Sequence, residues 1–385
     1  MKIAILADGY PSKGNPQFIF VQQLVHAIVD LGHDVYVIAQ QSLTHALIRG
    51  EKILSKHTVE YTKNNNSYQV YRPYRISFGN GRKLLYKIFN GIHRKSIHSI
   101  LDTIKPDVLY GHFWHNANKF TEYAHKHSLP VFVACGEGDN ALENLVKNLT
   151  QKKLELLTSA IKGVISVSSE NKRKCVDFKL AKESDVIVLP NCVDDSIFHP
   201  TEKNYTLRNK LGVRNDDFLI LFIGYFIKRK GPDRLINAVN KLNDKNIKLI
   251  FIGKTMGGDE VEPINDNIVF KGTIDHDELP HYFNAADLFV LPTLKEGCCN
   301  AIVESLACGL PVVSANRPFN DDILNHNNSI RIDPENIEEI ANAIFKFKNN
   351  KDFYSSIKES TLNNSNQYSI TTRAEKIIEF IKSKI

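Results

Sequence analysis

KEGCCNAIVESLACGLPVV, residues 295–313, is the stretch whose reading decides the fold. Just before it, Leu288 to Pro292 (LFVLP) is a short apolar run, the pattern of a strand buried on both faces. A loop follows, and then Ala301, Ile302, Val303, Leu306 and Ala307 recur at helical spacing. Gly309 comes after the last periodic residue, where a left-handed stop suits glycine. Leu310 to Ser314 (LPVVS) is a second short apolar run. The order strand, loop, helix, strand predicts a parallel βαβ unit. Its loop lies at the carboxyl edge of the first strand, where open α/β sheets bind ligands.

The two glutamates give that edge a chemistry. A helix start supplies free N–H groups and a partial positive charge, which suits a phosphate. Gly297 lets the backbone come close to a ligand. Glu296 falls in the loop and Glu304 inside the helix, eight positions on. Carboxylates do not bind phosphate, but they accept hydrogen bonds from sugar hydroxyls. A phosphate flanked by two polyols is a nucleotide sugar. On spacing alone the same pair also reads as two surface charges. The strand, the helix and the glycine stop around it favour the first reading.

Length and composition frame this unit. A chain of 385 residues accommodates two domains of ordinary size. At 42% apolar and 24% charged it has the make-up of a water-soluble globular protein. No apolar run approaches the roughly 20 residues needed to cross a bilayer. The opening MKIAILA is too short for a signal peptide and reads as a first buried strand. Cys135, Cys175, Cys192, Cys298, Cys299 and Cys308 contain no C-x-x-C pair and no zinc spacing. Reduced thiols make the cytoplasm the expected compartment. Charge is uneven: residues 1–193 hold 25 Lys and Arg against 16 Asp and Glu, while the remainder is net acidic.

Strands alternate with helical patterns along the whole chain. The strands expected in the first half are Lys2 to Ala7, Asp34 to Ala39, Val108 to Tyr110, Pro130 to Ala134, Gly163 to Val167 and Val186 to Leu189. A helix is expected over Phe18 to Leu31, closed by Gly32. PNCVD (190–194) breaks the rhythm, and a polar stretch leads to Asn215. Alternation then resumes with strands at Phe218 to Gly224, Lys248 to Gly253 and Asn267 to Lys271, and a helix at Asp233 to Leu242. This is the pattern of doubly wound parallel sheets. The expected domains are 1–193, on the acceptor side, and 194–367, for a nucleotide sugar. Residues 368–385 are expected to form a helix packing back on the first domain.

The second domain opens with another site-like stretch, FIGYFIKRKGPDRL (222–235). Lys228, Arg229 and Lys230 precede Gly231 and Pro232, and proline is well placed at a helix start. Cations there oppose the helix dipole, and a bound anion relieves the conflict. A solvated basic loop is the alternative.

Taken together, these residues resemble the family 4 glycosyltransferases, retaining enzymes of GT-B fold with an E-x7-E motif. EGCCNAIVESLACGLPVV matches the acidic motif and its G-x-P-V-V tail. PNCVDDSIFHP (190–200) resembles the family's P-N-G-V-D-x-x-x-F-x-P junction, and FIGYFIKRKGPDRLI (222–236) its G-R-x-x-x-x-K-G segment. LGHDVYVI (31–38) and DVLYGHF (107–113) resemble its G-H-x-V strand entry and its strand ending in a histidine. The resemblance spans nearly the whole chain. It implies an α/β GT-B fold, with two Rossmann-like doubly wound domains facing a central cleft. It also implies a glycosyltransferase of the hexosyltransferase type that retains configuration at the anomeric carbon. The expected donor is a nucleotide-diphosphate sugar, UDP-linked, and the expected acceptor a glycan or polyprenyl-linked molecule of cell-surface polysaccharide synthesis.

The resemblance also assigns roles. Glu304 would hold the ribose hydroxyls and Glu296 the donor sugar. Gly224, Gly297, Cys298, Cys299, Asn300 and Ile274 would complete the donor side. Lys230 would neutralise the leaving diphosphate, with His112 donating a hydrogen bond to the donor sugar or leaving group. Gly14, Asn15 and Asp139 would lie on the acceptor side. No cofactor is implied: family members are generally metal-independent, with protein cations in place of Mg²⁺. Asp275-His276-Asp277 reads better as a helix start capped by Asp277 than as a metal motif. Three positions depart from the family. The arginine after the first glycine is Tyr225, so Arg229 is expected to complete the cation pair, with Lys228 as fallback. The junction glycine is Cys192, and a strand-end histidine is Cys135.

One further segment bears on partners. RKLLYKIFNGIHRK (82–95) has Leu85, Ile88, Phe89 and Ile92 on one face and cations around it, with Arg72 and Arg75 just before. It reads either as a helix covering the sheet or as a basic amphipathic helix on an anionic membrane, which would put the protein at the inner face of the cell membrane. Nucleic acid is disfavoured, because the cations come without interleaved stacking aromatics. Other functions weighed are a GT-B sugar-nucleotide epimerase and a non-catalytic nucleotide-sugar-binding subunit.

Overall fold

The structure is a computed structural model that describes residues 1–12, 18–49, 52–76, 83–137 and 140–385. The chain divides into two compact units. The first comprises Met1–Val167, Asn171–Leu189 and Arg373–Ile385, and the second Ser168–Glu170 and Pro190–Thr372. The division falls at Leu189/Pro190, four residues before the expected 193/194. Val193 bridges to Ser369 and accepts a hydrogen bond from the Ile370 amide, which ties it to the second unit.

The strands of the first unit are β1 (Lys2–Ala7), β2 (Asp34–Ala39), β3 (Gln41–Ser42), β4 (His57–Tyr61), β5 (Ser67–Tyr71), β6 (Tyr74–Arg75), β7 (Val108–His112), β8 (Val131–Cys135), β9 (Ile161–Ser166) and β10 (Val186–Val188). Eight of them form one sheet in the order β10-β9-β8-β7-β1-β2-β5-β4, while β3 pairs with β6. Every pair is parallel except β4 with β5. The apolar runs behave as expected of strands covered on both faces: Ile3 to Ala7 and Val131 to Cys135 are all buried.

The second unit holds β11 (Phe218–Ile223), β12 (Ile247–Ile252), β13 (Ile268–Gly272), β14 (Leu288–Leu291), β15 (Val312–Ala315) and β16 (Ser329–Ile332). Its sheet runs β13-β12-β11-β14-β15-β16, all parallel. Phe222, Phe251, Phe283 and Phe289 fill the core on this sheet. The strand order reverses between β1 and β7 in the first unit and between β11 and β14 in the second. In open α/β sheets that reversal opens a crevice at the carboxyl edge.

Three sequence expectations change. The hairpin of β4 and β5 was not foreseen. Its turn uses Asn65 at φ 63°, and the Asn64 and Asn66 amides and Thr62 hydroxyl all donate to Asp30. Next, the helix Lys83–Ile104 does not cover the sheet with Ile88 and Ile92, which are 49% and 57% exposed. Ile97, Leu101 and Ile104, further along, are the buried face. Finally, Asp277 caps nothing. It lies in a short 3₁₀ turn, His276–Glu278, and the α-helix begins at Leu279 without a side-chain cap.

Candidate active site

In the second unit the site grows from the ends of β11 and β14. After β11 the chain runs through Gly224 and the three cations to Gly231, which enters the helix Pro232–Leu242. Gly231 has φ 77°, and a Cβ there would sit 2.7 Å from the Pro292 carbonyl oxygen. Only glycine lets the basic loop lie this close to the end of β14. Arg234 then staples the two loops: its guanidinium donates to the carbonyls of Lys228 (2.8 Å) and Pro292 (2.7 Å). The Leu294 amide donates to the Arg229 carbonyl at 2.9 Å.

This packing brings Glu296 against the cations. Its Oε1 accepts from Lys230 Nζ at 2.6 Å, Thr293 Oγ1 at 2.6 Å and Arg229 Nη1 at 3.2 Å. The Glu296 and Lys230 side chains are 11% and 12% exposed, against 40% for Arg229. Arg229 also donates to the Lys295 carbonyl at 2.6 Å. Burial works against the Lys230 charge, but nearby Cys299 and Glu296 more than restore it, so the ammonium titrates above its usual value. Both members of the expected cation pair therefore reach one carboxylate, while the Lys228 amide bonds to the Asp259 carbonyl.

The helix after this loop, Asn300–Ala307, has no side-chain cap at its N-terminus. The Ile302 and Val303 amides turn to the Cys299 carbonyl, and no side chain caps those of Asn300 and Ala301 ahead of them. Asn191 of the junction donates to Asn300 Oδ1 at 2.8 Å, so PNCVD is built into this corner. At the other end Gly309, φ 68°, makes the left-handed stop. The Leu310 amide bonds back to the Ser305 carbonyl and the Gly309 amide to Leu306, a Schellman motif. Glu304, buried on this helix, accepts from His276 Nε2 at 3.2 Å. The His276 ring lies 5.0 Å from Phe198. Burial opposes protonation of His276, but the Glu304 carboxylate outweighs it and raises its pKa. Cys299 is buried, and Cys298 and Ile274 pack partly buried against the core. The sequence contained no signal for Arg234 or His276, whose partners lie far along the chain, nor for Thr293, which reaches Glu296 within one loop.

The first unit carries a separate polar cluster at its own strand-order reversal. His112 ends β7, with its ring 5.3 Å from Phe20. Burial, then Arg373, lowers its pKa to about 3, so it stands neutral at physiological pH. Asp8, after β1, accepts from His115 Nε2 at 2.7 Å and Gln40 Nε2 at 3.0 Å. Glu137, after β8, accepts the Trp114 amide at 2.6 Å, and burial raises its pKa. Asp8, His115, Gln40 and Glu137 were all missed in the sequence, since each is a lone polar residue after a strand. Gly14, Asn15 and Asp139 lie outside the described residues.

Comparison with known proteins meets this geometry from another side. Residues 18–197 match the family described as Glycosyltransferase Family 4, and residues 204–363 match Glycosyl transferases group 1. The chain is a GT-B glycosyltransferase of the family 4 type. This transferase is 24% identical over 363 residues to TuaC of Bacillus subtilis strain 168, a glycosyltransferase named for teichuronic acid biosynthesis. The match covers 90% of this chain and 89% of that one. It is 26% identical over 357 residues to glycosyltransferase MJ1607 of Methanocaldococcus jannaschii, covering 89% and 87%. Among solved structures it resembles a sucrose-phosphate synthase from Thermosynechococcus elongatus, with TM-score 0.75, 16% identity and 99% of each chain covered. Anabaena HepE in complex with UDP gives TM-score 0.74 at 17% identity over the full length of both chains. These structural likenesses speak to the fold of the transferase.

Proposed function

We propose that the enzyme moves a sugar from a UDP-linked donor, with retention at the anomeric carbon, to a glycan or polyprenyl-linked acceptor of cell-surface polysaccharide synthesis. The observation that carries this reading is the Glu296–Lys230–Arg229 cluster beside the uncapped helix start at Asn300. In it, Glu296 accepts from donor-sugar hydroxyls and Glu304 from the ribose. Lys230 and Arg229 take up the charge that grows on the leaving diphosphate, the part a metal ion plays in other transferases. Such charge stabilisation acts most strongly where water is excluded. His112, neutral in its apolar setting, offers a hydrogen bond rather than a charge. A UDP donor is in keeping with HepE, solved with UDP and with UDP-glucose. Polysaccharide synthesis is in keeping with the names of TuaC and of Staphylococcus aureus CapM. The epimerase and binding-subunit alternatives are not favoured, since these relatives are named as glycosyltransferases. Incubation with a panel of nucleotide sugars tests the reading. Slow release of free sugar and UDP is expected, and no release from any donor would overturn it.

The ribose role makes its own prediction. Glu304→Ala removes an acceptor of charge-assisted hydrogen bonds, each worth about 1.5–3 kcal/mol. UDP affinity, read by calorimetry, is expected to fall at least ~10-fold. Unchanged affinity would remove Glu304 from the ribose.

Contact with an anionic membrane has support in the first unit. Leu47 and Ile48 stand 82% and 81% exposed, and Ile88 and Ile92 are 49% and 57% exposed. The helices carrying these two pairs both pack on β6. Lys52 and Lys56 follow the first of these helices, Arg75 is on β6, and Arg94 and Lys95 lie on the second helix. Among the described residues no helix is long and apolar enough to cross a membrane. The protein is expected to sediment with anionic vesicles at low salt and to be released as salt screens the attraction. The double substitution Leu47→Ser/Ile48→Ser should reduce sedimentation. A protein that stays in the supernatant at low salt would end this proposal.

A further inference from the structure

The first unit holds a cation without an ion pair among the described residues, with the Asp8 carboxylate acting on it only from a distance. Lys119 lies on the helix Trp114–His127, which follows β7. Its Nζ donates to Asn116 Oδ1 at 2.8 Å and Gln40 Oε1 at 3.3 Å, both neutral amides. An ammonium has three donors, so one is left over. Among the described residues the side chain has no ion-pair partner, and the nearby Asp8 carboxylate is already taken by His115 and Gln40. Arg75 on β6 adds a second cation, a guanidinium without an ion-pair partner among the described residues. Arg94 adds a third cation, already engaged with Glu122 at 2.6 Å. His93, 4% exposed, lies on the helix Lys83–Ile104, which packs on both β6 and the helix of Lys119. Its Nδ1 donates to the Tyr74 carbonyl at 3.1 Å, while its Nε2 is buried with no partner. Burial, then Lys119, lowers the His93 pKa to about 4, so this Nε2 is a bare acceptor. Burial also lowers Lys119 to about 8, with Asp8 opposing and Arg75 and Arg94 adding to the fall.

A half-buried cation hydrogen-bonded only by amides, a second unpaired cation and an orphaned acceptor have a common complement. It is a tetrahedral oxyanion that carries a proton or an adjoining hydroxyl. We propose that Lys119, Arg75 and His93 form a phosphate site in the first unit, and that the sugar acceptor is recognised there by a phosphate ester. The phosphate oxygens take the free Lys119 donor and the Arg75 fork, and a P–OH or neighbouring hydroxyl donates to His93 Nε2. The place suits a ligand, for Asp8, Gln40 and Lys119 follow β1, β2 and β7 around the reversal of strand order. The word acceptor rests on the transferase reading above. The phosphate site itself does not.

Calorimetry on the full chain separates the two. Inorganic phosphate is titrated with UDP held saturating, so that anion binding in the second unit is blocked. Wild type is expected to bind phosphate, and Lys119→Gln and Arg75→Gln each to weaken it about 10-fold or more, as for loss of a charge-assisted hydrogen bond. Circular dichroism checks that both variants are folded. Affinity in wild type should decline between pH 7 and 9 as Lys119 loses its proton. Lys119→Arg, which stays charged, should bind without that decline. A bystander lysine would produce neither the pH profile nor the rescue. Vesicles of phosphatidylcholine with phosphatidic acid distinguish the source. Lys119-dependent retention on them in addition to binding of free phosphate identifies a lipid-borne phosphate, and binding of free phosphate alone a soluble one. Equal affinity of wild type and Lys119→Gln would overturn the site, as would acetate binding as tightly as phosphate. Should phosphate bind as expected while no nucleotide sugar is ever turned over, the site stands and only its assignment to an acceptor falls.

Discussion

Lys230→Ala is expected to lower turnover about 10³-fold, and Arg229→Ala about 10²-fold, the range found when one preorganised stabilising donor is removed. Lys230 is expected to matter more because its side chain is 12% exposed and its Nζ is 2.6 Å from Glu296, whereas Arg229 is 40% exposed and its Nη1 divides between Glu296 at 3.2 Å and the Lys295 carbonyl at 2.6 Å. Charge in a water-poor setting acts through a lower effective dielectric than charge at the surface. Donor affinity should fall much less than turnover in both variants, since the diphosphate charge grows in the transition state. The check is kcat and KM for donor hydrolysis or transfer. Wild-type kcat in Lys230→Ala would remove the lysine from charge stabilisation of the leaving diphosphate. A full-rate Arg229→Ala beside a slow Lys228→Ala would move the second cation to Lys228.

A drop from pH 7 to pH 5 is expected to destabilise the first unit by on the order of 4 kcal/mol. His112 and His93 are held neutral by burial, with pKa values lowered to about 3 and about 4 from 6.5. Below pH 6.5 the unfolded chain binds protons that the folded chain refuses until those lower values. Stability therefore falls as pH falls through this window, by about 2 kcal/mol per histidine at pH 5. Carboxylates lowered by partners, such as Asp8 beside His115, lose their contribution only at more acid pH. His276 works the other way in the second unit: its raised pKa gives stability that is present below 6.5 and lost as pH rises. Scanning calorimetry at pH 7 and pH 5 should show one transition move down by about 10 °C, given roughly 2–4 °C per kcal/mol for a unit of this size. His93→Gln, which can still donate to the Tyr74 carbonyl, should flatten part of the slope. Transitions that hold steady between the two pH values would mean that these histidines are solvated.

Much of the fold was legible because parallel strands covered on both faces write themselves as unbroken apolar runs. KIAILA, DVYVIA, FLILFI and LFVL could hardly be placed elsewhere, and the helical periods between them leave a doubly wound sheet as the packing. The hairpin of β4 and β5 escaped because HTVEY buries no residue and SYQVY only Tyr68 and Val70, and its turn is a run of asparagines rather than Asn-Gly. The same contrast runs through the candidate site. Glu296, Lys230, Glu304 and Gly309 were visible because each stands at a fixed offset from a strand end or helix end that the local pattern defines. What only the tertiary structure decided is which groups meet across those ends. Thr293 and two cations converge on one oxygen of Glu296, His276 faces Glu304 from 28 residues away, and Lys119 is left among amides. Local spacing sets where a side chain starts along the chain. Its partner is set by the register of neighbouring strands and the path of the loops between them, and no short stretch of sequence carries that.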